Sequence, residues 1–172
     1  NDEPSITYLA QRYPKEENEL KKVIINSFGN SNFYFSTTPV AVGVGIASPT
    51  VVQTANPIVK LRSDKLLEIF RTERDVELRR LALDNIQRFP GWSKAEGMID
   101  ALGQMFNSET DEQFKFSIIN SLRNLTQNQQ AINKLFDIAK NDKSDKMRLA
   151  AIRALQNNKN PEVLKFLEDL IK

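Results

Sequence analysis

Glu109, Asp111 and Glu112 fall within four positions of one another, close enough to present hard oxygen ligands to a divalent cation. The same acids stand where a helix should begin. There a side-chain oxygen accepts from unpaired backbone amides and a negative charge suits the helix dipole, and capping is the role that the spacing favours. A phosphate-binding loop would need a glycine-rich turn followed by Lys and Ser/Thr, but Gly43-Val44-Gly45 runs on into Ile-Ala-Ser-Pro. The 172 residues contain no Cys and no His, which removes disulfides, thiolate nucleophiles, imidazole bases and zinc sites built on those ligands. Trp92, just after a helix-ending Pro-Gly, reads as part of a packed turn rather than of a ligand cage. No catalytic, metal or cofactor-binding set is expected.

The elements that would have to position any other site are legible from periodicity. Apolar residues make up 40% and charged residues 27% of the chain, and the net charge is +2, so no overall field recruits nucleic acid or membrane. No run of 18 apolar residues is present, and the opening Asn-Asp-Glu-Pro-Ser lacks the basic and apolar regions of a signal peptide. The compartment stays open between the cytoplasm and, if a leader has been removed, the periplasm.

The stretch Ile-Ile-Asn-Ser-Phe at 24–28 returns as Ile-Ile-Asn-Ser-Leu at 118–122, and the flanking pattern returns with it. Four apolar positions recur in four segments: Leu20/Leu78/Phe114/Met147, Ile24/Ala82/Ile118/Ala151, Ile25/Leu83/Ile119/Ile152 and Phe28/Ile86/Leu122/Leu155. Steps of 4, 1 and 3 place them on one stripe of a helix, here helix B. Asp75, Asp111 and Ser144 precede three of the copies at a fixed offset and are expected to cap them. Upstream lies helix A, in register as Leu66/Leu102/Leu135, Ile69/Met105/Ile138 and Phe70/Phe106/Ala139. Successive B helices of the last three units are 36 and 33 residues apart. A two-helix unit of that period cannot bury its stripe alone, so neighbouring units must stack. The expected organisation is one repeat domain over 1–172, with units near 5–30, 60–88, 94–125 and 127–157. A terminal helix follows at 161–172, with Leu167, Leu170 and Ile171 on its stripe.

Residues 141–171 resemble a HEAT repeat of the bacterial HEAT-like type. The marks are an Asp in the turn, an apolar–Arg pair opening helix B, the Ala-Ala-Ile-Arg-Ala-Leu run and the Asn-Pro-Glu start of the next helix A. The resemblance covers 60–172 well and 5–30 more loosely. It implies an all-α, armadillo-like solenoid with helix B lining the concave side, and is specific for the fold rather than for a function. It also implies that the residue after the first apolar position of helix B (Lys21, Arg79, Lys115, Arg148) bonds across to neighbouring turns. Some HEAT-like proteins are bilin lyases or base-excision enzymes, but no residue set here carries either activity over.

The first two B helices are 58 residues apart, and the surplus of 22–25 residues falls in a segment assigned to 31–58. From Val23 to Val59 there is no Asp, Glu, Lys or Arg. Val40, Val42, Val44 and Ile46 alternate with small residues, which reads as a strand, so a β-hairpin or extended arm is expected as an insertion in the solenoid. A flexible uncharged loop and a membrane-inserting hairpin are the competing readings. An uncharged strand edge recruits other chains, making Phe33, Tyr34, Phe35, Val42 and Val44 candidates for partner capture or self-association.

Residues 113–161 hold nine Lys/Arg against three Asp/Glu, leaving the rest of the chain at −4. Three rows of helix B point away from the stripe: Glu19/Glu77/Gln113/Lys146, Lys22/Arg80/Phe116/Leu149 and Asn26/Asp84/Asn120/Arg153. Phe116 and Leu149 are apolar where solvent is expected. The candidate partner-binding residues on this face are Arg80, Phe116, Asn120, Lys146, Leu149 and Arg153. The function expected is a non-enzymatic protein-interaction scaffold, with nucleic-acid binding through the basic C-terminal half as the alternative.

Overall fold

The computed structural model describes residues 3–29, 57–89, 92 and 97–170. All regular structure among them is helical. The chain divides into two compact units, Asn1–Trp92 and Ser93–Lys172. In the first, α1 (Glu3–Arg12) ends in a single 3-10 turn at Tyr13–Lys15 and is followed by α2 (Asn18–Gly29), α3 (Pro57–Thr72) and α4 (Val76–Ile86). The second contains α5 (Met98–Ser108), α6 (Glu112–Asn124), α7 (Gln129–Asn141), α8 (Asp145–Leu155) and α9 (Pro161–Asp169). Each unit is therefore two A–B pairs in succession, and the second adds one further A helix. Within each, the B helices pack side by side, α2 on α4 and α6 on α8.

The helices start where the sequence supplies caps. Asp75 accepts from the Glu77 and Leu78 amides, Asp111 from Phe114 N, Asn128 from Gln130 N and Asn160 from Glu162 N. Gly97, with φ 71°, supplies the left-handed residue before α5. Ser144 occupies its expected cap position, but its hydroxyl makes no cap bond. The acidic charge in that first turn comes from Asp145.

The stripes pack as the repeat requires. All nine A-helix positions are buried, as are fourteen of the sixteen B-helix positions. Each buried Leu, Ile, Phe or Met among them contributes about 1.5–3 kcal/mol by leaving water, and the three alanines less. Ile152 is half-buried. Leu20 is a correction: it is 52% exposed, whereas its counterparts Leu78, Phe114 and Met147 are fully buried. Its position faces outward on the first B helix, where no earlier B helix packs against it among the described residues.

Two further boundaries change. The arm assigned to 31–58 cannot include Pro57 and Ile58, which begin α3; proline suits a first helical turn because its missing N–H has no helical partner there. The remainder, with Phe33, Tyr34, Phe35, Val42 and Val44, lies outside the described residues. In α9 the buried side chains are Val163 and Phe166, with the Phe166 ring 4.4 Å from that of Phe136. Leu167 is half-buried and Leu170 is exposed, so the stripe expected through 167, 170 and 171 is rotated toward α7; Ile171 itself lies outside the described residues.

A glycine permits a close approach of α2 and α4 in the first unit. A Cβ on Gly29 would lie 1.8 Å from Asn85 Oδ1 and 2.6 Å from Asn85 Cβ. Asn85 is itself buried, donating to Asn26 Oδ1 at 3.1 Å and to Leu81 O at 2.9 Å. Alanine would gain up to about 1 kcal/mol of helix propensity. The clash with an atom fixed to the α4 backbone costs about 1–3 kcal/mol and prevails. Gly29→Ala should therefore lower the denaturation midpoint, and Gly29→Ala combined with Asn85→Ala should lose less than the two single effects added. Additive losses in that double-mutant cycle would refute the contact.

Candidate functional site

The ionisable groups converge at the A–B turns, and the same joint is built once in each unit. Two residues before the helix-B cap stands an acid: Glu73, Glu109 or Asp142. Its carboxylate turns back onto the backbone. Glu73 Oε1 accepts from the Arg74 and Asp75 amides, Glu109 Oε1 from the Thr110 and Asp111 amides, and Asp142 Oδ1 from Ser144 N. In the first unit Lys21, from the preceding B helix, reaches Glu73 Oε2 at 3.0 Å, while Arg79 donates to the carbonyls of Glu73 and Arg74. In the second, Lys115 lies 3.7 Å from Asp142 Oδ2, and Arg148 donates to the Asp142 carbonyl at 2.8 Å and pairs with Asp145. In this ladder the lysines cross to the next turn, and Arg79 and Arg148 also donate to carbonyls of the turn before their own helix.

An aromatic ring lies under each lysine. Lys21 Nζ is 5.1 Å from the Tyr13 ring centroid and Lys115 Nζ is 4.5 Å from that of Phe106. Tyr13 adds a hydroxyl that donates to Glu73 Oε2 at 2.8 Å. Burial, then this bond to an anion, pushes the Tyr13 phenol above its ordinary range. Burial alone would raise the Glu73 carboxyl, but the bonds from Lys21, the Asp75 amide, Tyr13 and the Arg74 amide outweigh it and hold the carboxyl at about 2.

These groups border a half-open cavity of about 260 Å³, lined among others by Ala10, Tyr13, Lys21, Phe28, Ile69 and Glu73. It is the place where converging ionisable groups could have indicated chemistry. The carboxylate is saturated by amides, an ammonium and a phenol, and the equivalent joint recurs in the second unit with Phe106 in place of the tyrosine. A group that does the same work twice is holding the fold. The acids considered for a metal are also committed: Glu109 and Asp111 to backbone amides, and Glu112 to Lys146 at 3.0 Å. No metal-holding cluster of His, Cys, Asp or Glu occurs among the described residues.

The outward face of helix B differs between the units. Five residues after the cap position, the first unit carries Lys22 and Arg80, each in an ion pair one turn back, to Glu19 at 2.7 Å and Glu77 at 3.3 Å. At the same register the second carries Phe116, 36% exposed, and Leu149, 45% exposed. α6 and α8 are packed neighbours, so these two side chains occupy equivalent positions on one surface. Lys146, Asn120 and Arg153 are exposed around them. Arg80 belongs to the first unit and is not part of that apolar pair. Arg123, also exposed and seven residues after Phe116, was not singled out from sequence; its heptad spacing was the available signal. No helix among the described residues is long and apolar enough to cross a membrane.

The Glu73 joint predicts an acid-sensitive contribution to stability. A carboxyl held at about 2 in the fold, against an ordinary value near 4.5, stabilises fully above the ordinary value and loses that contribution as pH falls toward 2. Its size at neutral pH is on the order of 3 kcal/mol at most. Glu73→Gln should lower the melting temperature at pH 7, and the gap to the wild type should close between about pH 4.5 and 2. Parallel melting curves across that range would overturn the assignment.

No curated protein and no solved structure gives a significant match to the chain. Residues 99–172, spanning α5 to the chain end, match the family model for HEAT repeats. That match and the helix pairs of both compact units fit a HEAT-like repeat protein.

Proposed function

We propose that the chain is a non-enzymatic protein-interaction module whose contact surface is the outward face of α6 and α8. HEAT repeats commonly mediate protein–protein interaction. The observation that carries the reading to this face is the exposure of Phe116 and Leu149 at a register where the first unit uses ion-paired Lys22 and Arg80. Surface apolar side chains grouped with charged neighbours are the usual anchors of a protein contact. Asn120, Lys146 and Arg153 form the polar rim, and Arg80 would act within its own unit. The uncharged segment with Phe33, Tyr34, Phe35, Val42 and Val44 suits a second role in partner capture or self-association on its sequence alone.

The nucleic-acid alternative draws on the nine cations of residues 113–161. Three of them are engaged elsewhere: Lys115 and Arg148 at the turn, and Lys140 over the Phe166 ring at 5.2 Å. That dispersal favours a protein ligand.

The test is Phe116→Ser with Leu149→Ser. Both side chains are partly exposed, so the double variant should lose about 1–3 kcal/mol and stay folded, which thermal melting checks. Affinity capture from extracts of the source cells, compared with the wild type, should lose its protein partners. Identical captured sets, or nuclease-sensitive capture unaffected by the double variant, would overturn the proposal.

A further inference from the structure

We infer that the α6–α8 face takes an acidic amphipathic helical peptide; the inference rests on the reading of that face as a protein-binding surface and goes on to name the chemistry of its ligand. The argument is one of unanswered charge beside exposed apolar area. Arg153 follows Leu149 by four residues and Arg123 follows Phe116 by seven. At 1.5 Å per residue these guanidinium-bearing positions stand about 6 Å and about 10 Å along the helices from their apolar neighbours, on the same side of each helix. Both arginines are exposed, and neither side chain makes an ion pair among the described residues.

The acids of this face are already answered. Glu112 is paired with Lys146, at side-chain exposures of 52% and 70%, and Asp145 is paired with Arg148. The surface therefore has an apolar pair in its middle, a neutralised end at the helix N-termini and a cationic end at the C-termini. Cations at helix C-termini favour the dipole, but a dipole interaction leaves the five donors of each guanidinium free for a carboxylate. A helical ligand with apolar side chains at i and i+3 or i+4, and Asp or Glu one turn beyond, would cover Phe116 and Leu149 and place its acids on Arg153 and Arg123. A polyanion would use the arginines and leave the apolar pair idle.

The probe is a phage-displayed library of amphipathic helical peptides, randomised at the polar positions and selected on the whole protein. The selected peptides should be rich in Asp and Glu one turn from the apolar pair. Arg123→Gln and Arg153→Gln should each weaken them about tenfold, with further weakening as salt rises. Selected peptides that are neutral or basic, yet lose binding to the Phe116→Ser/Leu149→Ser protein, would overturn the acidic assignment and leave the interaction surface standing. Selected peptides indifferent to both sets of substitutions, or a library yielding none, would overturn both. Sedimentation velocity of the protein alone provides a separate arm. Self-association abolished by Arg123→Glu with Arg153→Glu would assign the face to a second copy of the chain and overturn the peptide assignment. So would binding of a single-stranded oligonucleotide that depends on the arginines but not on Phe116 and Leu149.

Discussion

Each compact unit depends on an ion at a turn. Lys21 and Lys115 lie inside the arc that helix B buries, where an unpaired ammonium would carry a desolvation cost of several kcal/mol. The carboxylates of Glu73 and Asp142 meet them from the next A–B turn and are themselves held by backbone amides. Arg79 and Arg148 then take the carbonyls of those turns. A turn clamped from both sides fixes where its two helices start and end. The apolar stripes provide most of the stabilising free energy, but apolar contact is non-directional and tolerates sliding. The charge-assisted bonds are directional, and they set the register in which the stripes meet.

Much of this was legible in the residues. The apolar register located both helix sets because a stripe that must be buried on one side leaves a 3.6-residue period, and twenty-three of its twenty-five positions are buried. The cation position four residues past each cap was visible as well. Its partners were harder to see, because an acid two residues before a cap resembles ordinary turn polarity until three copies are aligned. Leu20 misled for a physical reason: periodicity reports which side of a helix is apolar but not whether a neighbour lies there. The Gly29–Asn85 approach left no pattern at all, since a single glycine at a helix end reads as a terminator.

The candidate surface was legible in part. Phe116 and Leu149 broke the polar pattern of the outward rows, and both are exposed. Arg80, grouped with them on sequence, belongs to the other compact unit, where it pairs with Glu77. Arg123 escaped notice because it stands at the end of α6, where a basic residue already has a reason to be.

The two units together form an internal control on that surface. They share the turn acids, the lysine over an aromatic ring and the buried stripes, so the fold imposes the same demands on both. Five residues past the cap position, the fold accepts Lys22 and Arg80 in the first unit, each steadied by an acid one turn back. Packing at that register therefore does not require an apolar side chain. An ion pair of this kind stabilises the helix weakly and keeps the surface hydrated. The second unit forgoes it for a phenyl and an isobutyl group in partial contact with water. The fold itself buries only part of each side chain, and a partner surface that excludes water would bury the rest.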